Sequence, residues 1–122
     1  MPWFVAHVVM AVHYKDGKQD TWPVWDNIHL VEANDAEGAD LRATQIGRSC
    51  EGDSDGTFEW DDRPAEWKFV GVRKIVTVSN SASPADELGD GAELTYQTFE
   101  VNSKQALDSL MVGEPVLLRL IE

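Results

Sequence analysis

The chain has 122 residues, the usual size of one domain, and its 22 acidic against 10 basic side chains give a formal charge of −12. Phosphate neutralisation needs Lys and Arg, so this charge argues against nucleic acid and against an anionic membrane surface as partners. The same field would favour metal cations or a basic protein, although its first consequence is solubility.

Residues Trp3 to Tyr14 read as a strand. Its even positions Phe4, Ala6, Val8, Met10 and Val12 form an unbroken apolar face, and its odd positions, His7 and His13 among them, form a mixed one. This run lacks a basic leader and no stretch nears the roughly 20 apolar residues of a membrane span, so a cytoplasmic protein is expected. The single cysteine, Cys50, excludes an internal disulfide and agrees with that compartment.

Lys15-Asp16-Gly17-Lys18 supplies hairpin chemistry, and a return strand is expected from about Gln19 to Ala33. Its even positions Trp22, Val24, Ile28 and Leu30 are apolar, with Asp26 the exception. A three-residue loop would pair residue numbers of equal parity. Pro23 cannot donate to a ladder and marks this strand as an edge or a bulge. A helix follows, capped by Asn34 with Glu37, and Ala36, Ala39, Ala43, Ile46 and Cys50 form the stripe expected to lie on the sheet. Cys50 is expected as a core thiol.

Glu51 to Pro64 reads as an acidic loop and Trp67 to Val78 as a long strand, with a bulge or exposed end at Arg73-Lys74. A polar connector is expected over 79–91, with a mobile tip. Leu94 to Val101 reads as a strand, and Ser103 to Met111 as a helix with Ala106, Leu107, Leu110 and Met111 facing inward. Gly113 closes that helix, and Val116 to Ile121 makes the last strand. The whole chain, 1–122, is thus expected to be one α+β domain in the order β-β-α-β-β-α-β. Both helices are expected on one face of a largely antiparallel sheet.

Trp3-Phe4-Val5-Ala6, Ile28 to Ala33, Glu66 to Val72, Tyr96 to Glu100 and Gly113 to Val116 together resemble the mostly bacterial domain-of-unknown-function family 4288. The resemblance supports the fold and implies no activity, cofactor or catalytic residue.

Equal parity would place Trp3, His7, Trp25 and His29 together on the sheet face opposite the helices. A face so aromatic needs a cover. A second copy of the chain is the leading reading, which makes the protein a homodimeric or protein-binding module rather than an enzyme. One version of that reading is an immunity- or antitoxin-type neutraliser of a basic protein. A second class of function is calcium or magnesium binding: laid on a twelve-residue calcium loop, Glu51, Asp53, Asp55, Glu59 and Asp62 fall at oxygen positions and Gly56 at the turn. Asp62 is short for the last position, and Pro64 prevents an immediate exiting helix. A small acid–base enzyme built on His7, Asp26 and His29 is the third class, ranked last because no carboxylate–histidine spacing converges.

Overall fold

A computed structural model describes residues 2–78 and 88–121 of the chain. Trp3–Tyr14 forms β1, and both of its faces are enclosed: Val5, His7 and Ala11 are as deeply buried as Phe4, Ala6, Val8, Met10 and Val12. A strand of that kind belongs in the middle of a sheet. It pairs antiparallel on one edge with β2 (Val24–Glu32) and on the other with β4 (Arg63–Thr77). A short β3 (Glu59–Trp60) pairs with the start of β4, giving the order β2–β1–β4–β3. Between β2 and β3 runs α1 (Ala36–Ser49), and after β4 come β5 (Thr98–Glu100), α2 (Lys104–Val112) and β6 (Arg119–Ile121). The α+β class and antiparallel sheet agree with the sequence reading. β5 and β6 nevertheless form a separate two-stranded sheet and do not extend the first one. Neither helix is long and apolar enough to cross a membrane.

α1 lies across β1, β2 and β4, and its Ala39, Ala43 and Gly47 are buried against Phe4, Ala6, Val8, Met10 and Val31. Small side chains allow the close approach. Asp35, one residue later than the expected Asn34, caps the helix by accepting the Gly38 N–H at 2.8 Å. The stripe ends at Gly47, so Cys50 is exposed as the C-cap and is not a core thiol. α2 departs further from expectation. Ser103 and Gly113 cap it, yet it has no buried residue, and the predicted inward residues Leu107 and Met111 are exposed. One helix, not two, covers the four-stranded sheet.

The return strand begins at Val24 because Gln19 substitutes for it: its side chain accepts the Tyr14 N–H and donates to the Val12 carbonyl. In β4 the register against β1 shifts twice, at Arg73 and at Val70, so the bulge expected at Arg73-Lys74 is present. The loop read over 51–64 ends in a tight hairpin, with Asp61 and Asp62 both left-handed (φ 52° and 58°), as a type I′ turn requires. Of the connector expected over 79–91, residues 79–87 lie outside the described ones. Its end holds a turn in which the Ala92 N–H donates to the Gly89 carbonyl.

Gly47 is the point of closest packing between layers. A Cβ there would stand 2.2 Å from Cδ1 and 2.3 Å from Cε1 of the Phe69 ring. Gly47→Ala would improve helix propensity by about 1 kcal/mol, but the overpacking costs about 1–3 kcal/mol. We expect a net loss of stability, read as a lower urea midpoint at unchanged slope.

Candidate functional site

The β1–β2 register joins residues of opposite parity: Phe4 faces Val31, Ala6 faces His29, His7 faces Ile28 and Met10 faces Trp25. This overturns the expected aromatic face. Trp3 and His7 lie on the side away from α1, whereas Trp25 and His29 lie on the α1 side with Met10 and Val31. The cause is that pairing stops at Ala11–Val24, so that an even stretch, residues 12–23, separates the strands where a three-residue loop was expected. The pairing is also the one that places Asp26 on the face of His7. A slip of one residue would send Asp26 to the other side.

His7 is buried at 0 % exposure, and its ring is fully partnered. Nδ1 lies 3.1 Å from the Asp26 carboxylate and Nε2 lies 2.6 Å from the Thr95 hydroxyl. A carboxylate only accepts, so Nδ1 carries the proton, and in the neutral ring Nε2 accepts from Thr95. The guanidinium of Arg73, projected by the bulge, donates to Asp26 at 2.6 Å, and Gln97 reaches the same oxygen at 3.4 Å. Burial pushes the Asp26 carboxyl up, but the hydrogen bonds and charges of Arg73 and His7 outweigh it and hold the group below its ordinary value of 3.8. Lys74 adds a further tie, donating to the Tyr96 carbonyl at 2.6 Å with its ammonium 3.7 Å from the centre of the Tyr96 ring. Residues 95–97 are thereby strapped across the sheet face opposite α1.

Carboxylate, imidazole and hydroxyl stand in the order of a nucleophile relay. Here the three groups join Thr95 of the strap to β1 and β2. His29, the remaining member of the expected acid–base set, lies on the other face. The arrangement works as a clasp. Thr95, Arg73 and Gln97 escaped the sequence reading. The available signal was Asp26, the one acid in an otherwise apolar row beside a strand carrying His7.

The aromatic residues gather elsewhere. Trp25 meets Trp60 and Trp67 edge to face at 5.1 and 4.8 Å, and Phe58 stacks on Trp67 at 5.4 Å. The acidic loop does not close on a cation position. The Glu51 carboxylate accepts the Phe69 N–H, Asp53 accepts the Gly56 N–H and pairs with Lys15, and Glu59 and Asp62 belong to the β3–β4 hairpin. Among the described residues no three His, Cys, Asp or Glu side chains converge to hold a metal.

Two apolar surfaces are left bare. On β2, Val24, Ile28 and Leu30 are exposed beside the strap, along an outer strand edge that no described strand pairs. In the β5–α2–β6 unit, Leu107, Met111, Val112, Leu117, Leu120 and Ile121 are exposed, and a two-stranded sheet is not self-sufficient in water.

A family model described as Domain of unknown function (DUF4288) matches residues 3–96, which takes in the sheet, α1 and the strap as far as Tyr96. No curated protein and no solved structure matches.

The clasp carries a pH signature. The folded Asp26 carboxyl ionises below its ordinary value, so its contribution is complete above about pH 4 and is lost as pH falls through the folded value. Asp26→Asn should cost about 1–3 kcal/mol at pH 7, and the gap from the unaltered protein should narrow by pH 3. Urea unfolding at the two pH values measures it.

Proposed function

The chain belongs to this family of unknown function over residues 3–96, and we propose that it is a protein-binding assembly module that closes into a homodimer. The family region contributes the bare side of β2, and the β5–α2–β6 unit beyond it contributes the complementary surface. One observation carries the reading: α2 is capped at both ends yet has no buried residue. A short helix draws most of its stability from packing an apolar face, and this one is at most half-buried, at Ala106, Ser109 and Leu110.

A second copy is the favoured occupant on grounds of charge and symmetry. Within 98–121 only Lys104 and Arg119 stand against Glu100, Asp108 and Glu114, and Lys104–Asp108 and Arg119–Glu100 are ion pairs. The unit is nearly neutral although the chain carries −12, so two copies can meet there with little repulsion. A basic protein would be drawn instead to the acidic remainder. Each copy offers both a bare β2 side and an unpacked unit, so a two-fold axis satisfies both pairs at once. The lone cysteine fits a reducing, cytoplasmic setting.

Met111→Glu tests this without touching the monomer's core, because Met111 is exposed and the change should leave thermal stability within about 0.5 kcal/mol. Light scattering across a dilution series should give twice the chain mass for the unaltered protein. The variant should dissociate at least about tenfold more readily, the loss of roughly 1.4 kcal/mol or more of apolar burial. A monomer at every concentration would remove the homodimer, and a retained basic protein on gentle purification would favour the neutraliser reading.

A further inference from the structure

On the α1 side of the sheet, opposite the surface assigned to the dimer, a cleft of about 360 Å3 is lined by Met10, Trp25, Asn27, Cys50 and Trp67. Its size falls in the range of small-ligand sites, roughly 300–1,000 Å3, and its lining is apolar and aromatic with few polar groups. Met10, 2 % exposed, is buried beneath it. Trp25 and Trp67 are set at 76° to each other, so two walls of the cleft are indoles nearly at right angles.

The walls are held in place. Trp60 meets Trp25 edge to face, Phe58 stacks on Trp67, and Gly52 and Trp67 exchange two backbone hydrogen bonds of 3.2 and 2.7 Å just beyond Cys50. Asn27 makes no hydrogen bond with another described residue through its side chain, which leaves an amide available at the cleft.

The geometry points to a binding site for a small organic cation of the N-methylated ammonium class. Trp25 and Trp67, edge to face at 4.8 Å, put indole rings on two walls of the cleft, and indole is the aromatic ring that best receives a positive charge such as a quaternary ammonium group. No basic residue lines the cleft. The C-terminal, partially negative end of α1 stands at its rim, and the chain's net charge of −12 adds attraction from a distance. The one basic side chain of the last helical turn, Arg48, lies over Phe69, with its guanidinium 5.7 Å from that ring. The Asn27 carbonyl suits a hydroxyl carried by the ligand.

Choline supplies that chemistry, and its neutral carbon isostere, dimethylbutanol, has the same shape without the charge. Nitrogen-labelled protein titrated with choline chloride, against sodium chloride at matched ionic strength, should show saturable shifts of the Trp25 and Trp67 indole N–H signals. Trp25→Leu should weaken binding about tenfold through loss of one wall. Shifts that do not saturate, or equal shifts with the isostere, would overturn the assignment. Should Trp25→Leu fail to fold, alkylation of Cys50 by iodoacetamide in the unaltered protein decides: slowing by choline and not by the isostere supports the site, and no slowing overturns it.

Discussion

A histidine with no exposure sits in the middle of β1, and the placement of several other residues follows from that burial. An enclosed imidazole with an unmet nitrogen would cost a few kcal/mol, so each ring nitrogen requires a partner on its own side of the sheet. Asp26 must then share the face of His7, and this selects the β1–β2 pairing over its one-residue alternatives. The carboxylate in turn needs a cation, which β4 supplies by bulging at Arg73. The second nitrogen needs a hydroxyl, which ties Thr95, far along the chain, to the first strand. Local strand chemistry, a backbone irregularity and a long-range strap all answer one buried ring.

The two sides of the sheet are finished in different ways. Under α1 the seal is apolar and close, built from alanines, a glycine and Phe69, and Trp67 joins it to the neighbouring aromatic group of Phe58, Trp25 and Trp60. On the other side the cover is a polar strap only a few residues wide. It shields His7 and leaves Val24, Ile28 and Leu30 in water. Among the described residues one side of the sheet is only half covered and α2 has no buried residue, and the proposed dimer would complete that burial. The aromatic cleft differs in kind. Its residues are rigidly placed and concave, which suits a compact guest more than a flat protein surface.

Much of the fold was legible in the residues. Unbroken even positions announced β1, the alanine stripe announced α1, Gly113 announced the end of α2, and Pro23 announced an edge. The failures have definite causes. Parity across the first hairpin depends on a loop whose length was misjudged, because Gln19 imitates a strand with its side chain. The β3–β4 turn was hidden because Asp61-Asp62 adopts the left-handed geometry usually signalled by Asn-Gly. The amphipathic pattern of α2 correctly indicated an apolar face, but periodicity cannot say whose surface that face will meet. The site residues suffered most, since His7 found Asp26 while losing Trp25 and His29 through the same error of parity.

The position of the central strand also has a temporal side. β1 opens the chain at residues 3–14, and its second edge is filled only by β4 at 63–77. Folding must therefore close a long stretch of chain before the middle strand is paired on both sides, and topologies rich in such distant pairings fold slowly. During synthesis β1, β2 and α1 emerge first and can associate, while the other edge of β1, lined by valines and alanines, waits for its partner. The imidazole of His7 waits longer still, because its hydroxyl partner, Thr95, follows 88 residues later. The nascent chain thus passes through a stage in which its best-protected residue is its least satisfied, and the strap closes that stage.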